Sequence, residues 1–300
     1  MAGLIKGQIL KHLSKFTKNL NPDKINISTM KGEGDLSNLE LDEVALMEVM
    51  DLPTWLRLTK AVCNRVAIKI QWTKLKTHPI CIYLDEIVVE METCSNPRDP
   101  TSSDSMANLP PAGKYGFAER IIDGIHLSIN SVVVNFKAPA FQASIQMSRI
   151  FVTSKTPLWQ NADLRLTRIK DDLRGEILIF KEMEWQTLRI EANALEGVHP
   201  NMATTPLRLI ANQSKTRITI RKRLVDCSII ASRVQFHLDD LLWVLTDSQM
   251  RAAFLFANSL KEIIHKSSLK SKHLAAEKIQ KQMSFGTTQG GGPQKAAPKP

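Results

Sequence analysis

Phe141-Gln142-Ala143-Ser144-Ile145-Gln146-Met147-Ser148 is the stretch that decides the fold, because apolar and polar residues alternate along it without interruption. Successive side chains of a β-strand point to opposite faces, so this period of two predicts a strand with one apolar face. The same one-sided pattern recurs along most of the chain, in runs that include Ile25–Ser28, Val66–Trp72, Ile80–Leu84, Ile125–Ile129, Val132–Phe136, Glu176–Phe180 and Ile218–Ile220. The sequence therefore predicts a mainly β protein.

One of these runs changes phase. At period two, Met183 and Trp185 share a face, whereas Leu188 and Ile190 share the other. A β-bulge adds one residue to a strand and would shift the phase in this way. We therefore predict a bulge near Trp185.

Two segments have a helical period instead. Near the N-terminus a helix that ends at Asn21-Pro22 would have an apolar arc and an opposite basic arc. The apolar arc comprises Ile5, Ile9, Leu13, Phe16 and Leu20, and the basic arc comprises Lys11, Lys15 and Lys18. The second helix begins at a capping box, with Thr246 as the N-cap and Gln249 three residues later.

Two further segments are predicted to be disordered. Residues 93–117 form a loop rich in Pro, Ser and Asp, and strands resume after it, so it is interpreted as an insertion. Residues 266–300 are polar and basic and then rich in Gly and Pro, which predicts a disordered tail that leads into a longer protein. Residues 1–265 are thus predicted to form one domain.

The formal net charge of +10 favours anionic partners, namely nucleic acid, acidic lipid surfaces or acidic proteins. Nucleic-acid binding would need stacking aromatics within a basic face, but the tryptophans lie mostly in apolar runs, so this class is not expected. The four cysteines are far apart and no secretory segment is present, which indicates a cytoplasmic protein. No apolar run reaches the roughly eighteen residues of a membrane span.

Catalytic and metal-binding patterns are absent from the sequence. The histidines are scattered without metal-ligand spacing, and neither a nucleophile elbow nor a phosphate loop is found. His126 and His237 fall on the polar faces of strands, which predicts solvated side chains. We therefore expect neither an enzyme nor a bound metal or cofactor.

Strands with one apolar face occur in two kinds of structure. In the first the apolar face is turned into a sealed core, and the domain would be a non-catalytic membrane tether or scaffold. In the second an open, curled sheet lines a groove for hydrocarbon chains. The low aromatic content of 6% and the aliphatic character of the strands favour the groove. The period alone leaves open which strand face would look inward.

A family resemblance supports the groove. It rests on the helix Ile9–Leu13, the turn Gly32-Glu33-Gly34 followed by Leu36-Ser37-Asn38-Leu39-Glu40-Leu41, then Leu52-Pro53 and the strand that ends at Trp72. Over about residues 1–265 the chain resembles the chorein N-terminal domain of the bridge-like lipid transfer, or repeating β-groove, proteins. Within this group, the sequence of Leu238–Gln249 is most similar to that of family member three. Gln71 departs from the usual proline before the tryptophan.

The resemblance implies a mainly β fold with flanking α-helices, in which an elongated, strongly curled antiparallel sheet forms an open hydrophobic groove. The N-terminal amphipathic helix would cap this groove and contact a membrane surface. The implied function is the transfer of glycerophospholipids between membranes at contact sites. The implied location is cytoplasmic and peripheral, at endosome, Golgi or endoplasmic reticulum membranes, with protein adaptors on organelles as further partners.

The apolar-phase positions are the candidates for the groove lining. They are Ile25, Ile27, Ile68, Ile70, Ile82, Leu84, Leu127, Ile129, Val134, Phe136, Ala143, Ile145 and Met147. The residues of both arcs of the N-terminal helix are the candidates for membrane contact.

Overall fold

The computed structural model describes residues 7, 14, 16–18, 32–50, 52–94, 98, 113–194, 207–238, 241–242 and 246–286. About half of these residues are in strands, twice as many as in α-helices, which confirms the mainly β prediction. The strands are β1 Glu33–Glu40, β2 Leu56–Lys69, β3 Cys81–Thr93, β4 His126–Lys137, β5 Phe141–Ser154, β6 Arg168–Asp171, β7 Glu176–Ala194, β8 Leu207–Arg223, β9 Ile229–His237 and β10 Leu241–Leu242. The α-helices are α1 Glu43–Val49, α2 Phe117–Gly124 and α3 Asp247–Gly286.

All ten strands belong to one sheet that is not closed into a barrel. The order is β1-β2-β3-β4-β5-β7-β8-β10, while β6 pairs with β7 and β9 pairs with β8. The prediction of an antiparallel sheet is wrong at one place, because β3 and β4 are parallel, from Cys81 opposite His126 to Glu92 opposite Lys137. A parallel pair needs a crossover that returns the chain to the same end, and the segment between β3 and β4, which includes α2, provides it.

A line of irregular positions crosses the sheet from β1 to β8, and we call it the seam. At the seam each strand has two successive polar residues where alternation would place one. They are Ser37-Asn38, Asn64-Arg65, Asp85-Glu86, Asn130-Ser131, Ser148-Arg149, Gln186-Thr187 and Asn212-Gln213. Three of these residues have positive φ, namely Asn38 at 53°, Arg149 at 50° and Gln213 at 37°. The strands are therefore locally distorted along one line.

The seam keeps the apolar side chains on one face along the whole length of the strands. In β2, Cys63 and Val66 are both buried although they are three residues apart, while Asn64 and Arg65 between them are exposed. Cys63 pairs with Ile87 and Val66 with Leu84, so both strands shift phase together and the register does not slip. The phase change predicted near Trp185 is confirmed, but it belongs to this shared distortion and not to an isolated bulge.

The Gly turn before β1 is required by close backbone packing. Gly32 has φ +69°, and a Cβ built on it would lie 2.0 Å from the carbonyl oxygen of Ile70. The Gly32 carbonyl accepts the Ile70 N–H at 2.6 Å. No residue with a Cβ fits here without a shift of the backbone, which explains the glycine of this turn.

Helix predictions are corrected at both ends of the chain. The predicted N-terminal helix does not extend to Leu20, because Thr17 forms a β-bridge with Leu41 and the Lys18 N–H donates to the Glu40 carbonyl. The capping box is confirmed, since the Thr246 N–H donates to Gln249 Oε1 at 3.0 Å and the Gln249 N–H to Thr246 Oγ1 at 3.3 Å. The prediction of disorder from residue 266 is wrong as far as Gly286, because α3 continues to that residue.

The other predicted loop lies mostly outside the described residues. Within 93–117, the described residues are 93, 94, 98 and 113–117, and Phe117 already begins α2. Arg98 is held by β2 and the turn before it, since its guanidinium donates to the carbonyls of Leu56 and Leu52 at 2.8 and 3.1 Å.

Candidate functional site

The strand register brings the described groove candidates together on one face of the sheet. Side chains of directly paired residues point to the same face. Two rows of paired residues show this: Ile68–Ile82–Leu127–Val152–Met183 on one side of the seam and Ala61–Val89–Val134–Ile145–Ile190 on the other. Leu84, Ile129, Phe136, Ala143 and Met147 lie in further rows of the same face. We call this surface the apolar face.

Three candidates lie outside these rows. Ile70 follows β2 in phase with Ile68 and is buried in the same cluster. Ile25 and Ile27 lie outside the described residues. For the other candidates, the register determines which side chains share a face.

The apolar face is covered over β1 and β2. Cys63, Val66 and Ile68 are only 2–3% exposed. They belong to a buried cluster that also contains Leu75, Ile80 and Ile121, against which Trp72 and Phe117 pack. The turn after β2 and helix α2 therefore form a layer over this part of the face.

Over β3, β4 and β5 the same face is more open. Its residues there, such as Ile82, Ile129, Val134 and Ile145, are half-buried, whereas Ile68, the register partner of Ile82 in β2, is fully buried. Phe141 and Ile150, towards the two ends of β5, are the exceptions, at 7% and 4% exposed. A sealed core would reduce the exposure of such side chains to a few per cent, as it does in β2. Among the described residues, no second layer covers the middle of β3–β5.

Helix α2 holds one end of the strands. Asp123 accepts a hydrogen bond from Lys222 Nζ, and the Tyr115 N–H donates to the Leu224 carbonyl at 2.8 Å. Lys181 Nζ donates to the Ile125 carbonyl at 2.8 Å and to Ser154 Oγ at 2.9 Å. Burial lowers the pKa of Lys181 to about 8. This polar group marks the boundary of the apolar face at this end.

Helix α3 holds the opposite end. Phe256 is 6% exposed and stacks on Phe141 with a centroid distance of 4.7 Å, and Ala138 and Ala192 complete this small buried cluster. Farther along α3, Ser267 Oγ lies 3.1 Å from Thr54 Oγ1, just before β2. The helix therefore runs along the strand ends from β7 towards β2.

The opposite face of the sheet is mainly polar, although Val62, Val88 and Val133 form one half-buried apolar row on it. Its paired residues form cross-strand ion pairs, such as Lys60 with Glu90, Arg65 with Asp35 and Arg208 with Glu191. Glu182 and Lys155 are buried under the loop that contains Trp159, with Lys155 Nζ 3.1 Å from Glu182 Oε1. Burial of Glu182 would raise its pKa, but the hydrogen bonds from Arg217 and Lys155 lower the pKa to about 2.

The prediction for His126 is wrong. Its side chain is not solvated but half-buried, and Nε2 accepts the Ser154 N–H at 3.0 Å. Burial, together with the nearby charges of Lys181 and Lys155, lowers the pKa of His126 to about 4. His237 is exposed, as expected.

The membrane-contact candidates fall mostly outside the described residues, which include only Phe16 and Lys18 of the two arcs. Phe16 is half-buried, and Lys18 forms an ion pair with Glu43 of α1. Ile5, Ile9, Leu13, Leu20, Lys11 and Lys15 are not described. The contact of Lys18 with Glu43 raises the pKa of Lys18, chiefly through a hydrogen bond.

The seam residues were missed by the sequence analysis, although they leave a signal. Two adjacent polar residues stand between apolar ones in strand after strand, as in Leu36-Ser37-Asn38-Leu39, Cys63-Asn64-Arg65-Val66 and Leu84-Asp85-Glu86-Ile87. Each instance alone resembles a turn or the end of a strand. Only their alignment across paired strands identifies them as one feature.

Neither a metal site nor a membrane-spanning helix is found in the part of the chain that the structure describes. There, no group of His, Cys, Asp and Glu is arranged to hold a metal ion. None of the described helices is long and apolar enough to cross a membrane.

Comparison with known proteins identifies relatives along nearly the whole chain. The family model "Bridge-like lipid transfer protein family member 3A/B" matches residues 1–299. Bridge-like lipid transfer protein family member 3B of Xenopus laevis is 54% identical over 280 residues, which are 93% of this chain and 20% of that protein. The human family member 3A is 54% identical over 280 residues, which are 93% of this chain and 19% of that protein.

A more distant relative matches a shorter region. Intermembrane lipid transfer protein vps13F of Dictyostelium discoideum is 31% identical over 86 residues, which are 29% of this chain and 2% of that protein. The chain spans only about one fifth of the length of the Xenopus and human relatives. The match to the family model, together with the identity to its members, shows that the chain belongs to the bridge-like lipid transfer protein 3A/B family, a family of lipid transfer proteins.

Proposed function

We propose that the apolar face lines an open groove that binds the acyl chains of glycerophospholipids, and that the protein passes these lipids between membranes at contact sites. The observation that carries the proposal is the continuous apolar face of β3–β5, whose residues in the middle of these strands are only partly buried while the same face of β2 is fully buried. A hydrocarbon ligand would supply the missing layer. Family membership supports the same function.

The seam supports a concave shape for this face. Two successive outward side chains lengthen the polar surface of each strand at one point, and such bulge-like distortions bend strands. Because the distortions align from β1 to β8, the sheet would fold towards its apolar side along one line. The groove would then run across the strands, with α2 along one rim and α3 along the other.

An apolar groove would lower the free-energy cost of moving a lipid between membranes, and no covalent chemistry is needed for this. For a phospholipid with about thirty methylenes, at roughly 0.8 kcal/mol each, entry into water costs on the order of 20 kcal/mol. Aliphatic side chains along the path would remove most of this barrier, while the head group stays in solvent at the open side. The direction of transfer would come from a lipid gradient or a partner.

The proposed cellular setting is cytoplasmic and peripheral, at endosome, Golgi or endoplasmic reticulum contact sites. Adaptors on these organelles would recruit the protein. The N-terminal helix, with Ile5, Ile9 and Leu13 on its apolar arc, would close one end of the groove or lie on a bilayer. Lys11 and Lys15 would then contact anionic head groups, at about 1 kcal/mol each.

Lipid counting tests the proposal. We would purify the full chain, extract and quantify phospholipids, and record native mass spectra of wild type, Ile145→Asp and Gln146→Asp. The two variants introduce the same charge at adjacent positions of β5, but residue 145 lies on the apolar face and Gln146 is exposed on the polar face. Wild type and Gln146→Asp should carry phospholipid, and folded Ile145→Asp should lose at least half of it.

A stable wild type without lipid would contradict the groove, and the tether or scaffold with a sealed core would replace it. Equal lipid content in both variants would contradict the assignment of the apolar face. Circular dichroism of each variant separates loss of lipid from loss of folding. A fluorescence transfer assay between vesicles then tests movement of the bound lipid.

A further inference from the structure

A cleft lies on the polar face, beside the seam, and the proposed lipid transfer makes no use of it. Its floor is a row of residues joined by the strand register: Ala67, Tyr83, Ser128, Phe151, Glu184, Lys215 and His237. This row crosses seven strands, so at about 4.8 Å per strand it is roughly 29 Å long. We call it the outer cleft.

Two adjoining cavities make up most of the outer cleft. One has a volume of about 720 Å³ and is lined by residues from β5, β7, β8 and the end of β9. The other, of about 680 Å³, is lined by residues from β2 to β5. Arg149 and Phe151 line both, so the two cavities meet at these side chains. The cleft is therefore a continuous depression and not a set of separate gaps.

The cleft exposes large apolar side chains on a face that also carries cross-strand ion pairs. Tyr83 and Phe151 are each 46% exposed, and Leu238 at the β9 end is 56% exposed. Aromatic side chains that are half-exposed in a depression, surrounded by polar residues, are typical of binding surfaces. The cleft can thus bury apolar groups of a partner along its floor.

The charges of the cleft are unequal along its length. At the β2–β3 end Arg65 pairs with Asp35, and the carboxylate of Asp85, which accepts hydrogen bonds from the amides of Asn64 and Asn130 at 2.9 and 3.1 Å, leaves this end negative. At the centre and the β8 end, the cavity is lined by two cationic side chains, Arg149 and Lys215, and by one carboxylate, that of Glu184, which is the register partner of Lys215. The nearby carboxylate of Glu184 lies 3.9 Å from Lys155. This part of the cleft is therefore electropositive.

Arg149 is held in an unusual backbone conformation. Its φ of 50° is rare for a residue with a side chain and costs free energy that the surrounding strands must supply. The distortion lies at the seam, where β5 places two successive residues, Ser148 and Arg149, between apolar ones. Arg149 lines both cavities and therefore lies at their junction.

We propose that the outer cleft binds an extended acidic peptide segment of a partner protein, with apolar side chains on Phe151 and Tyr83 and carboxylates on Arg149 and Lys215. A length of about 29 Å fits about nine residues of extended chain. A lipid bilayer is a poorer fit, because the surrounding polar face balances its charges in pairs such as Lys60 with Glu90 and Lys69 with Glu33. Anionic membranes prefer broad basic surfaces.

Fluorescence anisotropy tests the proposal on the full chain. The probe is a fluorescein-labelled nine-residue peptide of alternating Glu and Leu, and the charge-reversed probe alternates Lys and Leu. The proteins are wild type, Arg149→Glu, Lys215→Glu and Arg233→Glu. Arg233 provides a matched control, since it is exposed and points to the same polar face in β9 but does not line either cavity.

The acidic probe should bind wild type and Arg233→Glu alike, at least tenfold more tightly than the basic probe. Arg149→Glu should weaken this binding at least tenfold and Lys215→Glu at least threefold. Equal weakening by Arg149→Glu and Arg233→Glu would overturn the proposal. So would binding of wild type to vesicles of phosphatidylserine that Arg149→Glu abolishes while peptide binding is unchanged.

The peptide-binding experiment can be distinguished from the lipid-binding experiment of the proposed function. If the acidic peptide with leucines occupied the apolar face instead, Ile145→Asp would weaken its binding, and this result would also overturn the proposal. The lipid content of Arg149→Glu should equal that of wild type. Failure of the outer cleft and failure of the groove therefore give different results.

Discussion

The apolar face of the sheet differs in burial between two regions: it is buried over β1 and β2 and half-buried over the middle of β3, β4 and β5. Ile68 is 2% exposed, whereas its register partner Ile82 in the next strand is half-buried. Both are isoleucines in unbroken alternation, so composition does not distinguish them. What differs is the layer above. Leu75, Ile80 and α2 cover the first part, Ile82 still packs against the edge of that cluster, and no described element covers the middle of β4 and β5.

Alternation therefore determines which side chains share a face, but not whether protein, ligand or water lies against that face. A strand with apolar residues at every second position needs something apolar opposite, whether protein or ligand. In β2 the chain supplies that layer itself. Over β3–β5, in the proposed function, a hydrocarbon ligand would supply that layer.

The largest effect should come from removing one residue of the seam. Deletion of Asn130 would leave one seam residue in β4 opposite two in β3 and two in β5, so Val132, Val134 and Phe136 would either leave the apolar face or lose their register with both neighbouring strands. We expect a loss on the order of 4 kcal/mol or more, which is the transfer free energy of several such side chains. Urea denaturation followed by circular dichroism would measure it.

Deletion of Leu173 serves as the control, because this residue is fully exposed in the turn between β6 and β7. It should reduce stability far less than deletion of Asn130. Comparable stability of the Asn130 deletion and wild type would show that the seam can move along the strand. In that case it would not hold the apolar face in phase.

Sequence reasoning predicted the parts of the fold that depend on local pattern. The alternation of Phe141–Ser148 lies within β5, and the capping box at Thr246 begins α3. The parallel pairing of β3 and β4 was not predictable in this way, since alternation is the same in parallel and antiparallel strands. His126 was misjudged because its burial comes from Lys181 and Ser154, which are distant in sequence.

The residues that share the apolar face could also be predicted from the local pattern. Period two determines which residues share a face within a strand, and the register then joined the strands, as with Ile82, Leu127 and Val152. The exposure of that face depends on covering elements such as α2 and could not be predicted. The seam was missed because a single polar pair also occurs in turns and at strand ends.

A smaller effect should separate the two parts of the apolar face directly. Ile68→Ala removes buried methyl groups from a covered site and should cost about 3 kcal/mol, including the cavity term. Ile145→Ala at a half-buried site should cost about 1 kcal/mol, because water or lipid can fill the space. The midpoints of urea denaturation curves give both changes in the free energy of unfolding, provided that the dependence on urea concentration is the same in all variants. Equal costs would mean that the open part is covered after all.

Lowering the pH should reduce the stability of the protein through His126, at the end of the sheet that α2 covers. Above pH 6.5, His126 is neutral in both the folded and the unfolded chain and makes no pH-dependent contribution. Between pH 6.5 and about 4 the unfolded chain binds a proton that the buried ring does not, since burial and the charges of Lys181 and Lys155 lower its pKa to about 4. Stability should therefore fall by about 2 kcal/mol as the pH decreases through this range.

The variant His126→Gln isolates this contribution, because its amide oxygen can accept the Ser154 N–H without a titrating ring. We would measure urea stability of wild type, His126→Gln and His237→Gln at about pH 7.5, 6, 5 and 4.5, the range in which the unfolded histidine takes up its proton. His237 is exposed, so its variant should follow wild type at every pH. His126→Gln should lose less stability than either on acidification. Parallel curves for all three proteins would place the acid-sensitive contacts elsewhere than at His126. The stabilisation by buried Glu182 is present above about pH 4.5 and is lost only below it, so this residue would not account for a loss within the measured range.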